Sequence, residues 1–478
     1  METSISAAAG PPAGTGLDGL LELAVSDVAH GGWCVAREPG GRVVFIRHAL
    51  PGERVRARIT DTTARFARAE AVEILQASPD RVEPPCPHAR PDGCGGCDWQ
   101  HATPQAQRRL KAEVVRQQLR RIAGLNRELT VEPLPGDSGG LGWRTRVRLS
   151  VGPGGAAGLL KHRSHEVVEV GACPLAHPLV PVTGITGQRW QQVSSLEVTV
   201  SPGSGERAAI VTPPAGGRRA SGRGARSPRH PASSAPSMSL ADRTAAMLDG
   251  LADTVLAAGR GGRLTPLRGR GYLHQSAAGR TWRVGAGTFW QVHPGAADAL
   301  TGAVLDVLRP APDDVALDLF CGAGLFAGML AEAVGPGGAV IGVESDRGAV
   351  RDARHNLRRL PWARIHHGDA ATVLAREAGP AGDGWREAGL AVLDPPRAGA
   401  GRAVIERLLG LRPDDRGTGG RQTGGRLRRV AYVSCDPATL ARDIAVFGEL
   451  GWQLAGLRAF DAFPMTHHVE CVAALAPA

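Results

Sequence analysis

The stretch Val315-Ala316-Leu317-Asp318-Leu319-Phe320-Cys321-Gly322-Ala323-Gly324 decides the fold of the C-terminal part of the chain. Its apolar first half predicts a buried strand, its second half predicts a tight glycine turn, and residues 325–334 predict a helix. From about residue 280 onward, further apolar strands alternate with helices. This alternation is typical of a doubly wound parallel sheet.

The glycine turn predicts a cofactor site. Gly322 and Gly324 would let the backbone approach a ligand closely. No third glycine follows at the spacing of dinucleotide-binding loops, which favours S-adenosylmethionine, a ligand without a pyrophosphate, over NAD. The next strand ends at Glu344, whose carboxylate can accept hydrogen bonds from ribose hydroxyls. Asp369 follows a further strand and can reach an adenine, although an ordinary loop aspartate is an equally good interpretation.

Two more predicted strands end at reactive side chains. Asp394 follows the apolar run 390–393 and begins an Asp-Pro-Pro-Arg turn, and Cys435 follows the apolar run 430–433. Both residues are therefore expected at the carboxyl edge of the sheet, where ligands bind in open α/β folds. Amino-group methyltransferases usually carry an aromatic residue after the prolines. Arg397 stands there instead, which disfavours amino methylation.

A thiol and a separate carboxylate suit methylation of a pyrimidine ring carbon. Addition of a thiolate to C6 of the ring makes C5 able to attack a methyl sulfonium. A general base must then remove the C5 proton so that the thiol can leave. Cys435 fits the nucleophile and Glu470 fits the base. The buried structural interpretation is preferred for Cys34, Cys321 and Cys471.

The N-terminal region predicts β structure with cationic faces. Residues 17–78 are expected to form a small β-barrel, and residues 130–182 are expected to be rich in strands. In both regions arginines alternate with other residues, at Arg54, Arg56, Arg58, Arg144, Arg146 and Arg148. Such a face would bind an RNA backbone, although a solvated sheet face explains the first set equally well.

Three of the eight cysteines are close in sequence, at Cys86, Cys94 and Cys97. This grouping is typical of metal or cluster ligation and not of the disulfide framework of a small secreted domain. Three thiols with a remote fourth suit an iron–sulfur cluster. Zinc held by three cysteines and His88 or His101 is an equally good interpretation of the spacing.

The composition is that of a globular protein, with 42% hydrophobic residues among 478. This length predicts two to four domains. A net charge of +10 favours a polyanionic partner such as nucleic acid, although arginine-rich low-complexity segments are an equally large source of that charge. We see neither a signal peptide nor an apolar run that could cross a membrane. We expect a cytoplasmic monomer without membrane contacts.

Together these motifs resemble the S-adenosylmethionine-dependent RNA 5-methyluridine (uracil-C5) methyltransferases, in the branch with an N-terminal TRAM domain and an iron–sulfur cluster. The resemblance rests on the order of the cysteine group, Asp394-Pro-Pro-Arg, Ser434-Cys-Asp-Pro and the Phe-Pro-x-Thr-x-His-Val-Glu motif that ends at Glu470. It covers nearly the whole chain, apart from residues 1–16 and two low-complexity inserts. His293, Leu325 and Asp436 depart from the residues that are usual in the family.

The resemblance implies a multidomain protein. Outside the resemblance, residues 1–16 are expected to be disordered. Within it, residues 17–78 form a TRAM or OB-like β-barrel that binds RNA, and residues 79–280 form a central α+β domain with the cluster. Residues 281–478 form a Rossmann-like class I methyltransferase domain. Low-complexity inserts are expected at about 202–238 and 412–429.

The resemblance also assigns the site residues and the partners. Cys435 is the nucleophile, Glu470 is the base, and Cys173 is the fourth ligand of a [4Fe–4S] cluster with Cys86, Cys94 and Cys97. The implied S-adenosyl-L-methionine site comprises Gln291, Phe320, Gly322, Gly324, Glu344, Asp369 and Asp394. The substrate is a uridine in RNA, with ribosomal RNA favoured over transfer RNA, and the target base must leave any helix to reach Cys435.

Three other functions fit parts of the sequence. A cytosine-C5 RNA methyltransferase would share the thiol addition but would carry its nucleophile in other motifs. A non-catalytic RNA-binding iron–sulfur protein would not need Cys435 and Glu470 together. A nicotinamide oxidoreductase would need the missing third glycine.

Overall fold

The computed structural model describes residues 19–214, 240–377, 384–411 and 427–478. The predicted disordered N-terminus and most of the two predicted inserts lie outside these ranges. The first insert was predicted to begin too early, because Arg207–Thr212 is a strand. Among the described residues, no helix combines the length and the apolar character that crossing a bilayer requires.

A closed five-stranded barrel begins the described chain. Its strands are β1 (Leu21–Ala29), β2 (Trp33–Arg37), β3 (Val43–Arg47), β4 (Arg54–Thr62) and β5 (Phe66–Gln76). In β4 the apolar residues Val55 and Ala57 are buried and the arginines between them are exposed, as the alternation predicts. Closure leaves no free sheet edge. The barrel agrees with the predicted domain at 17–78.

A seven-stranded sheet forms the central region, in the order β13-β12-β11-β10-β7-β8-β9. Helix α1 (Pro104–Gln118) and strand β6 (Val131–Pro133) precede it. The region then contains β7 (Arg146–Val151), β8 (Ala157–Leu160), β9 (Val167–Glu169), α2 (Val182–Thr186), β10 (Ser195–Val200), β11 (Arg207–Thr212), α3 (Leu240–Met247), β12 (Thr254–Ala258) and β13 (Leu264–Arg268). A separate hairpin follows, made of β14 (Tyr272–Ala277) and β15 (Arg280–Gly285).

The C-terminal region is an α/β unit around an eight-stranded sheet, in the order β18-β17-β16-β19-β20-β22-β21-β6. Its later elements are α4 (Ala296–Leu308), β16 (Val315–Leu319), α5 (Leu325–Val334), β17 (Ala339–Glu344), α6 (Arg347–Asn356), β18 (Ala363–His367), α7 (Ala370–Glu377), β19 (Leu390–Leu393), α8 (Arg402–Leu409), β20 (Arg429–Ser434), α9 (Pro437–Glu449), β21 (Trp452–Asp461) and β22 (Glu470–Pro477). Strands β16 to β20 are parallel, and β22 pairs antiparallel with β20.

One segment joins the C-terminal sheet from outside the predicted domain. Strand β6 pairs parallel with β21. Ala112 and Val115 of α1, and Leu119 directly after it, are buried in the same core as β20 and β22. The predicted boundary at residue 281 therefore does not hold for this segment. The reason is physical, because β21 would otherwise expose an unpaired edge.

Candidate active site

Four parallel strands end at one edge of the C-terminal sheet. In sheet order, β17 ends at Glu344, β16 ends before Phe320, β19 ends before Asp394 and β20 ends before Cys435. Ligands bind outside the carboxyl ends of strands in open α/β sheets. The structure thus brings most of the predicted cofactor residues and the predicted nucleophile to one edge.

The turn after β16 leaves room for a ligand. Gly322 and Gly324 have φ angles of 54° and 89°, and Phe320, a bulky residue, has a φ of 68°. The Gly322 N–H donates to the Glu344 carboxylate at 3.0 Å. A Cβ at Gly324 would meet Ala353 at 3.2 Å, whereas a Cβ at Gly322 would meet nothing within 4 Å. Gly324 is therefore needed for packing, and Gly322 faces open space.

Three carboxyl groups influence one another around this turn. Burial and the charges of Asp394 and Glu344 raise the pKa of Asp318 well above its ordinary value. One Asp318 oxygen accepts the Ala327 N–H at 2.7 Å, and the other is buried without a hydrogen-bond partner. Burial and the charge of Glu344 raise the pKa of Asp394 to about 7. Such a cluster favours a positively charged ligand.

Two of the predicted cofactor residues have other surroundings. Asp369 is exposed and caps α7, because its carboxylate accepts the N–H and the hydroxyl of Thr372, both at 2.9 Å. Gln291 is buried in the loop between β15 and α4. That loop is held to the central sheet, since the Val292 carbonyl accepts the N–H and the hydroxyl of Thr145. Contact of Asp369 and Gln291 with a cofactor stays a prediction.

Cys435 and Glu470 lie at the same end of two neighbouring strands. Ser434 pairs with Cys471 in the antiparallel ladder between β20 and β22. The next residues outward are Cys435 and Glu470, so the register itself places the thiol beside the carboxyl group. Cys435 is partly buried, and Glu470 is 3% exposed. This register is the geometric basis for placing a nucleophile beside a general base.

The environment favours the protonated form of both groups in the free protein. Burial and the charge of Glu470 raise the pKa of the Cys435 thiol to about 11. Burial and the charge of Asp394 raise the pKa of Glu470 well above its ordinary value. Arg397 opposes both shifts, through its charge and through a hydrogen bond with the thiol. Its position indicates a role in stabilising the thiolate.

Sequence reasoning missed this role of Arg397, which had been considered only as a substitute for an aromatic residue. The Arg397 guanidinium also donates to His468 Nε2 at 3.2 Å. Burial lowers the pKa of His468 to about 3, so this ring is a neutral acceptor. The sequence did contain a signal for this role, because Arg397 directly follows the proline pair and is expected at the same sheet edge as Cys435.

The loop at residues 462–469, which leads into Glu470, is held by the cysteine-containing segment. The Met465 carbonyl accepts the N–H groups of Asp98 and Trp99 at 3.0 and 3.1 Å. The Asp98 carboxylate accepts the His467 N–H at 3.0 Å and lies 2.6 Å from His467 Nδ1. Burial alone would raise the pKa of Asp98, but His467 and Arg47 hold it at about 2. His467 thus helps to orient this turn.

The barrel also reaches the active site. His30, in the turn between β1 and β2, lies 3.3 Å from the carboxylate of Asp436, the residue after Cys435. Asp436 caps α9 by accepting the Thr439 N–H at 2.8 Å. The β1–β2 turn therefore forms one wall beside the predicted nucleophile, a contact that the sequence pattern could not indicate.

The four predicted cluster ligands line one small cavity, namely Cys86, Cys94, Cys97 and Cys173. Their sulfurs have nearby donors, because Gly96 N–H donates to Cys94 at 3.3 Å and Gln100 donates to Cys97 at 2.9 Å. Within the described ranges, however, no group of three or more His, Cys, Asp and Glu side chains is arranged to hold a metal ion. The iron–sulfur cluster is therefore not confirmed.

Comparison with known proteins gives two family matches. Residues 20–72 match the family described as TRAM domain. Residues 293–382 match the family described as protein-L-isoaspartate(D-aspartate) O-methyltransferase. The second match covers under a fifth of the chain, within the C-terminal α/β unit.

Two relatives match the chain almost from end to end. A protein of Streptomyces avermitilis described as an uncharacterized RNA methyltransferase is 47% identical, over 96% of this chain and 98% of the relative. A protein of Corynebacterium efficiens with the same description is 33% identical, over 95% and 93%. Among solved structures, the Pyrococcus abyssi tRNA (uracil-54, C5)-methyltransferase, in complex with S-adenosyl-L-homocysteine, has a TM-score of 0.65 at 20% identity. The match covers 95% of this chain and 99% of that one. This chain belongs to a family of RNA methyltransferases with an N-terminal TRAM domain.

Membership in this family confirms the coarser expectations. The protein is an RNA methyltransferase with an N-terminal TRAM barrel and a C-terminal methyltransferase fold, and RNA is its substrate class. The fold is shared with the Pyrococcus abyssi protein, whose solved structure contains S-adenosyl-L-homocysteine. The iron–sulfur cluster, the target atom and the kind of RNA stay predictions.

Proposed function

We propose that this RNA methyltransferase transfers a methyl group from S-adenosyl-L-methionine to C5 of a uridine, through a covalent adduct between Cys435 and C6. Glu470 removes the C5 proton. The observation that carries the proposal is the register that places Cys435 and Glu470 side by side, next to an acidic turn. Ribosomal RNA is the favoured substrate, and transfer RNA is the second choice.

The acidic edge suits the cofactor. S-adenosylmethionine carries a sulfonium and an ammonium group, both of which the carboxyl groups of Asp394 and Glu344 attract. Gly322 leaves space for the ligand, and Phe320 stands at the start of the same turn. Gln291 and Asp369 complete the proposed contacts, with Gly324 shaping the turn.

The reaction begins when the Cys435 thiolate forms a bond with C6. Arg397 stabilises both the thiolate and the ionised form of the nearby Glu470, whose own proton has passed to solvent. The C5 enolate then attacks the methyl group and releases S-adenosylhomocysteine. Loss of the C5 proton to ionised Glu470 breaks the bond between C6 and sulfur and frees the thiolate.

A [4Fe–4S] cluster would be held by Cys86, Cys94, Cys97 and Cys173. The fit rests on the cavity they share and on the N–H donors beside two of the sulfurs. Bound there, the cluster would supply a rigid cross-link of the segment that holds the 462–469 loop, and no redox step. Protein purified without oxygen should contain about four irons per chain, and stoichiometric zinc without iron would exclude the cluster.

Two variants test the chemistry. Cys435→Ala should abolish both methylation and any covalent RNA adduct. Glu470→Gln should still permit addition and methyl transfer, so that a methylated RNA–protein adduct accumulates and survives denaturing electrophoresis. RNA with 5-fluorouridine should trap the unmodified enzyme in the same way, because fluorine replaces the proton.

Different results would refute the assignments. An adduct formed by Cys435→Ala would exclude this nucleophile. Normal turnover by Glu470→Gln would exclude this base and leave Asp394 as the next choice. Nucleoside mass spectrometry of RNA from a strain without the protein would identify the lost methyl group, and loss of a methylated cytosine would exclude uridine as the target.

A further inference from the structure

Carboxylates of the barrel and of the cysteine segment neutralise the arginine row of β4 that was predicted to bind RNA. Arg54 pairs with Glu22, Arg56 with Glu73 at 3.0 Å, and Arg58 with Asp92 at 2.6 Å. In the central sheet, Arg146 pairs with Glu197 at 2.8 Å and donates to two backbone carbonyls. Closure of the barrel provides Glu22 and Glu73, the cysteine segment provides Asp92, and pairing of β7 with β10 provides Glu197.

A different cationic surface remains. A groove of about 630 Å³ lies between the cysteine segment and the β7–β8–β9 end of the central sheet. Its lining includes Arg148, Lys161, His162, Arg163 and Ser195. We name it the β7–β9 groove. Most of its polar lining consists of cationic side chains and serine hydroxyls.

Two arginines of the groove differ from the barrel row. Arg148 and Arg163 are exposed, and neither takes part in any ion pair among the described residues. The Arg148 guanidinium donates to the Ser195 hydroxyl at 3.2 Å. The nearest acidic group in the β8–β9 loop is Glu166, which pairs with Lys161 at 2.7 Å. The two free guanidinium groups therefore give the groove a net positive charge.

The position of Arg163 is fixed by the barrel. It stands at the tip of the β8–β9 loop with a φ of 51°, and its guanidinium lies 5.4 Å from the centre of the buried Trp33 ring. The His162 ring packs against the same tryptophan edge-on at 5.5 Å. The barrel hairpin that carries Trp33 also carries His30, which contacts Asp436 beside Cys435. One hairpin thus joins the groove to the active site.

We infer that the β7–β9 groove binds the sugar–phosphate backbone of the RNA next to the target uridine. Guanidinium groups and hydroxyls are the donors that phosphate oxygens accept, and such contacts position an RNA without reading its sequence. The inference rests on the proposed function for its substrate and adds the surface that orients it. It also replaces the paired barrel row as the main source of phosphate contacts.

The test measures the salt dependence of RNA binding. The full-length Arg148→Ala/Arg163→Ala variant and the unmodified protein are titrated with a fluorescein-labelled mixed-sequence single-stranded RNA at several salt concentrations. Loss of each phosphate contact should reduce the slope of log affinity against log salt by about 0.7. The Kd at low salt should rise, and KM for RNA should rise in parallel.

Two comparisons make the result specific. Arg54→Ala/Arg56→Ala removes the same charge from the ion-paired row and should reduce the slope less. Arg148→Lys/Arg163→Lys should restore most of the slope, because lysine retains the charge. Equal slopes for the groove variant and the unmodified protein, with the thermal unfolding midpoint retained, would overturn the inference.

Other outcomes separate this inference from the proposed function. The groove variant could lose RNA affinity while nucleoside mass spectrometry finds no methyluridine missing from a strain without the protein. In that case the groove inference stands and the assignment of uridine as the target fails. If polyglutamate binds the protein through Arg148 and Arg163 while RNA binding is unaffected by their loss, the groove serves an acidic protein and the inference is overturned.

Discussion

At the residue scale, the chemistry depends on how one arginine and several carboxyl groups set the protonation of Cys435. Burial and Glu470 raise the thiol pKa to about 11, and Arg397 is the group that opposes them. A thiol in this environment is a weak nucleophile unless the arginine stabilises its ionised form. Arg397 therefore belongs with Cys435 and Glu470 in the proposed reaction.

Loss of the Arg397 charge should slow adduct formation. In Arg397→Gln the thiolate loses a charged hydrogen-bond donor, an interaction of about 1.5–3 kcal/mol, so the rate should fall about tenfold to a hundredfold. Adduct formation with 5-fluorouridine RNA, followed against pH, should shift to higher pH. Arg397→Lys should recover part of the rate, and an unchanged profile for Arg397→Gln would exclude the arginine from thiol activation.

Cofactor binding should weaken as the pH falls below about 7. Asp394 has a raised pKa of about 7 in the free protein, so it is increasingly protonated below that pH. A cationic ligand favours its ionised form, and binding must then displace a proton. Calorimetry with S-adenosylmethionine should show a Kd that rises towards acid pH and levels off above 7. Asp394→Asn should flatten this dependence, and a pH-independent Kd in the unmodified protein would contradict it.

At the element scale, local patterns were predictable and contacts between distant segments were not. The strand and glycine turn at 315–324 follow from apolar runs and glycine, which act through neighbouring residues. The alternation in β4 was equally clear, but its ion pairs arise only when the barrel closes. The hydrogen bonds between Asp98 and His467 join residues 369 positions apart, and sequence periodicity cannot detect such a contact.

The hydrogen bonds between Asp98 and His467 should affect the catalytic rate. In Asp98→Asn the 462–469 loop keeps its shape but loses an ionised partner for His467, so Glu470 is held less firmly. We expect kcat to fall about tenfold or more, since charged hydrogen bonds contribute about 1.5–3 kcal/mol, with little change in the Kd for S-adenosylhomocysteine. Asp98→Glu, which retains the charge, should recover part of kcat. A Kd that changes as much as kcat would indicate general loss of structure.

At the scale of the whole molecule, the described parts of the chain are interlocked. The barrel touches the active site through His30, the cysteine segment holds the loop before Glu470, and α1 with β6 completes the C-terminal sheet. The barrel is built from one continuous stretch of the chain, whereas the C-terminal sheet also takes up β6 from far upstream. The sequence predicted the barrel and the α/β unit because each has its own pattern of apolar residues and turns. It could not predict that β6 pairs with β21 at the edge of the C-terminal sheet, because that pairing leaves no local signal.

One buried ion pair holds α1 against the C-terminal sheet. Lys111 in α1 lies 2.5 Å from Asp461 at the end of β21, and both side chains are at most 1% exposed. Lys111 also donates to the Phe463 carbonyl at 3.0 Å, at the start of the loop that leads to Glu470. Burial lowers the pKa of Lys111, and the charge of Asp461 opposes that shift. The pair thus connects α1 to both the sheet and the active-site loop.

Removing one partner should cost far more stability than removing both. Lys111→Met leaves the Asp461 charge buried and unpaired, and breaking a buried pair in this way costs about 3–5 kcal/mol of unfolding free energy. Lys111→Met/Asp461→Leu removes both charges and should recover most of the loss. Urea unfolding, with the midpoint and slope of each variant compared, measures the difference. If the double variant is no more stable than Lys111→Met, packing of the lysine stem rather than charge pairing holds α1 in place.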